Sequence, residues 1–317
     1  MQESTELVGE PDRLRERLAE DGYLYFPGLL AREKVMKVRR DVLAALRRAG
    51  WTDPDALPIS GRVGRTPVRE GDPEFFEALD QVQKVESFHT LAHDPKLVAA
   101  MQAVVGPSAF AHPLKIARLV FPDFEAISTP PHQDFPNNQG TPNLAATWIP
   151  IGDVTPELGG LAILRGSHKW GALPLANHLG AGNRCAVLPL DMLEECRWVT
   201  TDFSAGDVLL FPSLTVHAAL HNLSGRFFRL SVDFRWQEQG EALTEGCLEP
   251  HFGRQTWDEI YADWKSDKYQ YYWRDLDFDV APFEDMTLVD GPTEEELLTE
   301  FLQQQARTEA RLAGRES

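Results

Sequence analysis

The residues best equipped for chemistry are His132-Gln133-Asp134. On an extended chain, positions i and i+2 project to the same face, so an imidazole and a carboxylate converge on one point while Gln133 points away. That pair supplies two of the three ligands of a facial 2-His-1-carboxylate metal centre, which leaves the opposite coordination positions open to a cosubstrate and dioxygen. The third ligand has to be a histidine carried in from a distant strand. Alone, His-x-Asp decides nothing. With nine histidines in an acid-rich chain, about one match is expected by chance, and a turn histidine beside a surface aspartate reads the same.

The downstream sequence shifts the balance. Gly206-Asp-Val-Leu-Leu-Phe-Pro-Ser-Leu-Thr-Val-His217 reads as a tight turn, an apolar strand and a histidine at its end. Further on, Phe228-Arg-Leu-Ser-Val-Asp-Phe-Arg-Trp236 alternates with period two. Arg229, Ser231, Asp233 and Arg235 share one face, and Leu230, Val232 and Phe234 the other. A guanidinium followed two residues later by a hydroxyl can hold a carboxylate with a bidentate pair plus a third hydrogen bond. A half-exposed antiparallel strand alternates in the same way. It is the order His132, Asp134, His217, Arg229, Ser231 that favours a metal centre with an anion grip.

Two kinds of element must position these residues. The first third reads as helices around one strand. Pro11 to Glu20 and Ala31 to Arg48 have helical spacing, the latter through Val35, Val38, Val42 and Leu46 with Gly50 as the stop. Gly22 to Pro27 is a short β-type run. Residues 52–74 read as an extended surface loop, and a helical stretch from about Pro73 to Val105 is broken near Asp94-Pro95. From His112 onwards short strands alternate with turns: Leu114 to Phe121, Ala145 to Ile151, Gly160 to Leu164, Val208 to Phe211 and Phe227 to Trp236. Such texture predicts a sandwich or barrel. Residues 171–198 lack alternation and read as a long insertion, a candidate substrate cover. The aromatic stretch from Trp257 to Trp273, with helix over Gln255 to Lys265, is expected to pack on the outside of the barrel; a lid or dimer contact is the other reading. Residues 293–311 read as a polar terminal helix. We expect one domain over 1–317: a helical N-terminal flank (about 1–110), a core (about 111–237) and a C-terminal extension (about 238–317).

These motifs resemble the phytanoyl-CoA dioxygenase-like family of iron(II)/2-oxoglutarate-dependent oxygenases. The likeness runs over roughly residues 21 to 236, through Pro131-His-Gln-Asp134, Trp148-Ile-Pro-Ile-Gly-Asp153, Glu157-Leu-Gly-Gly-Leu161, Arg165-Gly-Ser-His168, the strand to His217 and the Arg-x-Ser pair. It implies a mainly β fold with flanking helices, built on a double-stranded β-helix (jelly-roll, cupin-like) core. It implies His132, Asp134 and His217 as ligands of Fe(II), Arg229 as the grip on the distal carboxylate of 2-oxoglutarate, and Ser231 as its partner. Arg226 competes for that role but falls at the turn. Trp148 matches a position lining the cosubstrate pocket, which Gln139 and Thr147 are also placed to reach. Lys115 and Arg118 supply positive charge to cosubstrate or substrate, or are surface cations. Halogenases resembling the family lack the carboxylate present here as Asp134, so hydroxylation or a related oxidation with dioxygen is expected, giving succinate and carbon dioxide. His168 supports a turn, and His221 bonds nearby backbone or stands behind the ligands.

The 317-residue chain holds 49 acidic and 31 basic residues, a formal charge of −18. Such a surface repels nucleic acid and anionic membranes, and no apolar run approaches the ~18 residues of a membrane span. The expected partner is a small-molecule substrate, a metabolite or natural-product intermediate rather than a phosphate-rich CoA ester. Cys185, Cys196 and Cys247 lack Cys-x-x-Cys spacing and read as reduced thiols of a cytoplasmic protein, monomer or homodimer. The rival readings are a non-redox metal-dependent cupin-type enzyme, which leaves Arg229-Leu-Ser231 unexplained, and a non-catalytic ligand-binding barrel.

Overall fold

The structure is a computed structural model that describes residues 1–122, 129–179, 182, 184–189, 192–193, 196–286, 288–293, 295–297, 299 and 303. Its helices are α1 (Pro11–Asp21), α2 (Arg32–Arg48), α3 (Pro73–Gln83), α4 (Glu86–Thr90), α5 (Pro95–Val104) and α6 (Trp257–Tyr261). Its strands are β1 (Leu24–Phe26), β2 (Phe110–Val120), β3 (Ala145–Pro150), β4 (Leu161–Arg165), β5 (Leu175–Asn177), β6 (Arg184–Ala186), β7 (Arg197–Val199), β8 (Val208–Pro212), β9 (His217–Ala219), β10 (Arg229–Gln237), β11 (Leu243–Thr244) and β12 (Val280–Ala281).

Five strands form the larger sheet in the order β1-β8-β3-β10-β2, every pair antiparallel. A smaller sheet, β7-β4-β9, packs across it. Side-chain alternation sorts the larger sheet into two faces. Leu230, Val232, Phe234 and Trp236 of β10 join Ile149, Val208 and Leu210 against the helical layer, including Val35, Val38, Val42 and Leu46 of α2. Each such side chain, fully buried, contributes roughly 1.5–3 kcal/mol relative to exposure. Ala146, Trp148, Leu209 and Phe211 face inward to Leu161 and Ile163 of β4. This is the jelly-roll core.

Local rules account for the helices. Pro11 at the first turn starts α1 and Gly22, at φ 75°, ends it. Asp94 caps α5 by accepting from the Lys96 N–H, with Pro95 next. The stretch expected from Pro73 to Val105 breaks where Asp94-Pro95 predicts, and also at Lys84-Val85 between α3 and α4. The Gly206-Asp207 turn anchors the strand that leads to His217. Leu30 N–H donates to Gly206 O, and a Cβ on Gly206 (φ 114°) would lie 2.6 Å from Leu30 O, so only glycine fits. Asp207 accepts from Tyr25 Oη, Gly28 N and Ser204 N, tying β1 to β8.

The long insertion expected at 171–198 runs between β4 and β7, which pair in the smaller sheet, and it carries a hairpin of its own, β5 with β6. In the C-terminal extension the helix is shorter than expected. The aromatic stretch packs on the helical layer rather than the sheet alone: Trp257 and Trp264 meet His89, Trp264 Nε1 donates to Lys84 O, and Tyr272 Oη donates to Ala111 O. Most of the terminal helix expected for 293–311 lies outside the described residues. Among the described residues no helix is long and apolar enough to cross a membrane.

Candidate active site

His132 and His217 are held against each other by the backbone. Each N–H donates to the other's carbonyl at 2.9 Å, a single antiparallel bridge that brings the two imidazoles to 4.1 Å between centroids. His132-Gln133-Asp134 is therefore not a regular strand, as expected, but a bridged residue entering a turn, where the N–H groups of Asp134 and Phe135 both donate to Ser213 O. The convergence survives the change. One donor atom from each of His132, Asp134 and His217 lies within 4.8 Å of the others, and Asp134 Oδ1 is 4.0 Å from His217 Nε2. Gln133 does point away: its Nε2 donates to Gly171 O and Leu214 O, and its Oε1 accepts from Leu173 N–H.

The protonation states suit a metal. His132 Nδ1 lies 2.8 Å from Pro130 O and His217 Nδ1 3.0 Å from Thr215 O. Each Nδ1–H donates to its carbonyl and so keeps the proton on Nδ1, which leaves each Nε2 lone pair free. Burial, then the neighbouring His217, lower His132 to about 3, and burial likewise lowers His217. Both rings are neutral at physiological pH. Burial raises Asp134, but Arg235, the two histidines and Arg118 outweigh it and hold the carboxyl at about 2. Arg235 Nη2 donates to Asp134 Oδ1 at 2.7 Å, while Asp134 Oδ2 is buried with no hydrogen-bond partner. An orphaned carboxylate oxygen costs free energy unless something binds it. Two imidazole nitrogens and a carboxylate oxygen are the donor set of a facial iron centre, so the residues fit the metal.

A cationic grip stands on the next strand. All nine residues of β10 are buried, which excludes the solvent-facing reading. Arg229 and Ser231 share its inner face, Nη1 donating to Ser231 Oγ at 2.9 Å. Burial pushes the Arg229 guanidinium down to about 10, still charged at neutral pH. Its Nε and the indole Nε1 of Trp148, whose ring centroid lies 6.0 Å from the guanidinium, are both buried without acceptors. Arg118, Trp148, Phe211, Asp233, Arg229 and Arg235 line one cavity with His132 and His217. Unmade donors around this cavity suit a ligand with carboxylate oxygens.

Three expected residues stand elsewhere. Thr147 precedes Trp148 on β3, so it faces the helical layer and accepts from Trp236 Nε1 at 3.0 Å. Gln139 binds the C-terminal extension, donating to Glu284 O and accepting from Glu284 N–H. Lys115 is neither a surface cation nor a pocket residue: it is 2% exposed, donates to His112 O and Tyr272 Oη, and meets the Tyr272 ring. Arg226 is exposed, and His168 bonds Ala19 O beside α1. The residue that sequence reasoning passed over is Arg235. The inward parity of β10 placed it beside Arg229, but only the fold shows that it meets Asp134.

Comparison with known proteins agrees with this geometry. The profile described as "Phytanoyl-CoA dioxygenase (PhyH)" matches residues 18–231. The chain belongs to that family and is an iron(II)- and 2-oxoglutarate-dependent dioxygenase. Among curated proteins it is similar to the 1-deoxypentalenic acid 11-beta-hydroxylase of Streptomyces arenae, 28% identical over 262 residues (78% of this chain, 88% of the relative). The same-named enzyme of Streptomyces exfoliatus is 25% identical over 263 residues, with the same coverage. Among solved structures, the epimerase SnoN in complex with Fe3+, alpha ketoglutarate and nogalamycin RO aligns with a TM-score of 0.54 at 21% identity. It covers 74% of this chain and 86% of its own and shares the fold.

Proposed function

We propose that this enzyme hydroxylates a C–H bond of a natural-product intermediate, with His132, Asp134 and His217 holding Fe(II) and Arg229, Ser231 and Trp148 holding 2-oxoglutarate. The observation that carries it is a buried ligand cluster beside orphaned donors: His132, Asp134 and His217 offer donor atoms within 4.8 Å of one another, and Arg229 Nε and Trp148 Nε1 stand unpartnered on the cavity wall. The relatives' names support the substrate class, since both hydroxylate a natural-product acid. Bound iron supplies activation of dioxygen coupled to decarboxylation of 2-oxoglutarate, with succinate and carbon dioxide as products. The protein's own residues do the positioning. Pro130 O and Thr215 O set the histidine tautomers, Arg235 fixes Asp134, and Arg229 with Ser231 fixes the cosubstrate's far carboxylate. The flanking helices, core and extension act as one domain in a cytoplasmic monomer or homodimer.

Succinate formation by anaerobically purified, iron(II)-loaded protein given 2-oxoglutarate and oxygen tests the reading, with His132→Ala as control. Turnover that His132→Ala abolishes, and that 1-deoxypentalenic acid or other natural-product candidates stimulate, is the expected result. Absence of both turnover and 2-oxoglutarate binding would overturn it.

A further inference from the structure

On the wall of the same cavity Arg118 stands between two carboxylates held in different ways. Its Nε donates to Asp233 Oδ2 at 2.9 Å, and Asp233 is fixed on the buried strand β10. Its Nη1 faces Glu70 Oε2 at 3.9 Å, an ion-pair distance too long for a hydrogen bond. Glu70 belongs to the irregular segment before α3, and it accepts a hydrogen bond from the backbone N–H of Gly182, between β5 and β6. One counter-anion is thus built into the sheet, and the other is delivered by a loop and less closely engaged.

The charges give this asymmetry a meaning. Counted at their ordinary charges, the side chains of the Asp134-to-Arg118 network, with Arg229, are Arg118, Arg229 and Arg235 against Asp134, Asp233 and Glu70, so they cancel. A divalent iron and a dianionic 2-oxoglutarate add no net charge. With Glu70 in place the filled site is neutral; with Glu70 withdrawn it carries one uncompensated positive charge, which a buried setting disfavours. We propose that Glu70 is an internal stand-in for the anionic group of the substrate: the substrate is a monocarboxylate that docks on Arg118 where Glu70 now lies. A planar carboxylate matches the guanidinium fork, and a single negative charge restores neutrality. A phosphomonoester, with nearly two charges, would overshoot. This rests on reading the cavity as the oxygenase site.

The test is equilibrium binding to nickel(II)-loaded protein, with 2-oxoglutarate titrated first and then adamantane-1-carboxylate and decanoate, each against its amide. The expected result is a carboxylate preference of about tenfold or more over the amide. Glu70→Gln, which keeps the loop's shape but removes its charge, should tighten carboxylate binding several-fold, leave the amide unchanged and shift 2-oxoglutarate less than the carboxylate, since 2-oxoglutarate docks on Arg229 rather than Arg118. Arg118→Gln should erase the preference, and Arg118→Lys should restore part of it. A structural role for Glu70 predicts loss rather than gain. Binding of 2-oxoglutarate without a carboxylate preference, or with a preference that Glu70→Gln leaves unmoved, overturns the proposal and spares the oxygenase reading. Failure of 2-oxoglutarate to bind overturns both.

Discussion

Two buried cations occupy opposite faces of the same sheet. Arg229 lies on the inner face of β10 and Lys115 on the outer face of β2, and both are about 2% exposed. Burial lowers both, Arg229 to about 10 and Lys115 to about 7. Burial does not tell the two apart, and perturbed charge would favour Lys115, the more strongly lowered. What separates them is hydrogen bonding. Lys115 Nζ is satisfied by His112 O and Tyr272 Oη, whereas Arg229 Nε is left without an acceptor beside an equally unpartnered Trp148 Nε1. A binding site is marked here by bonds left unmade, and a satisfied buried charge is part of the packing.

Substitutions can press on that contrast. The largest effect is expected at Arg229. Arg229→Met removes charge-assisted hydrogen bonds worth ~1.5–3 kcal/mol each, so the dissociation constant for 2-oxoglutarate should rise about 100-fold by calorimetry, with metal binding retained. Next is Arg235→Met. Loss of an outer partner of a ligand typically costs ~10–100-fold in metal affinity, so competition for Fe(II) against a chelator should shift by that much while 2-oxoglutarate affinity, measured at saturating metal, changes less.

Lys115→Met should leave both ligands alone and change stability instead. The unfolded chain binds the Lys115 proton up to its ordinary range near ~10.4, and the folded form releases it near 7. Between those values the unfolded state holds more protons, so wild-type stability should rise with pH, at a slope approaching about 1.4 kcal/mol per pH unit from this group. In Lys115→Met that contribution should vanish, the gain over wild type being greatest at or below pH 7 in urea unfolding. The smallest effect is expected at Gln139→Ala: loss of about 1 kcal/mol of stability with 2-oxoglutarate affinity unchanged. A substantial loss of cosubstrate binding in either of these two variants would collapse the contrast.

The same contrast explains what was legible in the sequence. His132, Asp134 and His217 could be found because a metal demands three particular side chains, and their spacing leaves a trace whatever the intervening loops do. Arg229 and Ser231 could be found because β10 keeps strict alternation through nine buried residues. Thr147 was misplaced against a rule the sequence itself carried: it adjoins Trp148, and neighbours on a strand cannot both face inward. Lys115 and Arg118 are three apart and so also lie on opposite faces, but which one turns inward depends on pairing with β10, which shifts register between Phe234 and Trp236. Glu70 and Arg235 act through partners more than 45 and 100 positions away, Arg118 and Asp134, and no local pattern records such meetings.

Gln133, the residue between two proposed ligands, has a consequence of its own. Its amide grips Leu214 O on the approach to His217, and Gly171 O and Leu173 N–H at the start of the segment that carries β5 and β6. A single side chain thus ties the geometry at the metal point to the order of a neighbouring stretch of backbone. Free energy spent fixing one is shared with the other, so metal loading is expected to slow hydrogen exchange at the Leu173 amide, which donates to Gln133 Oε1, and an exchange rate that metal leaves unchanged would break the link.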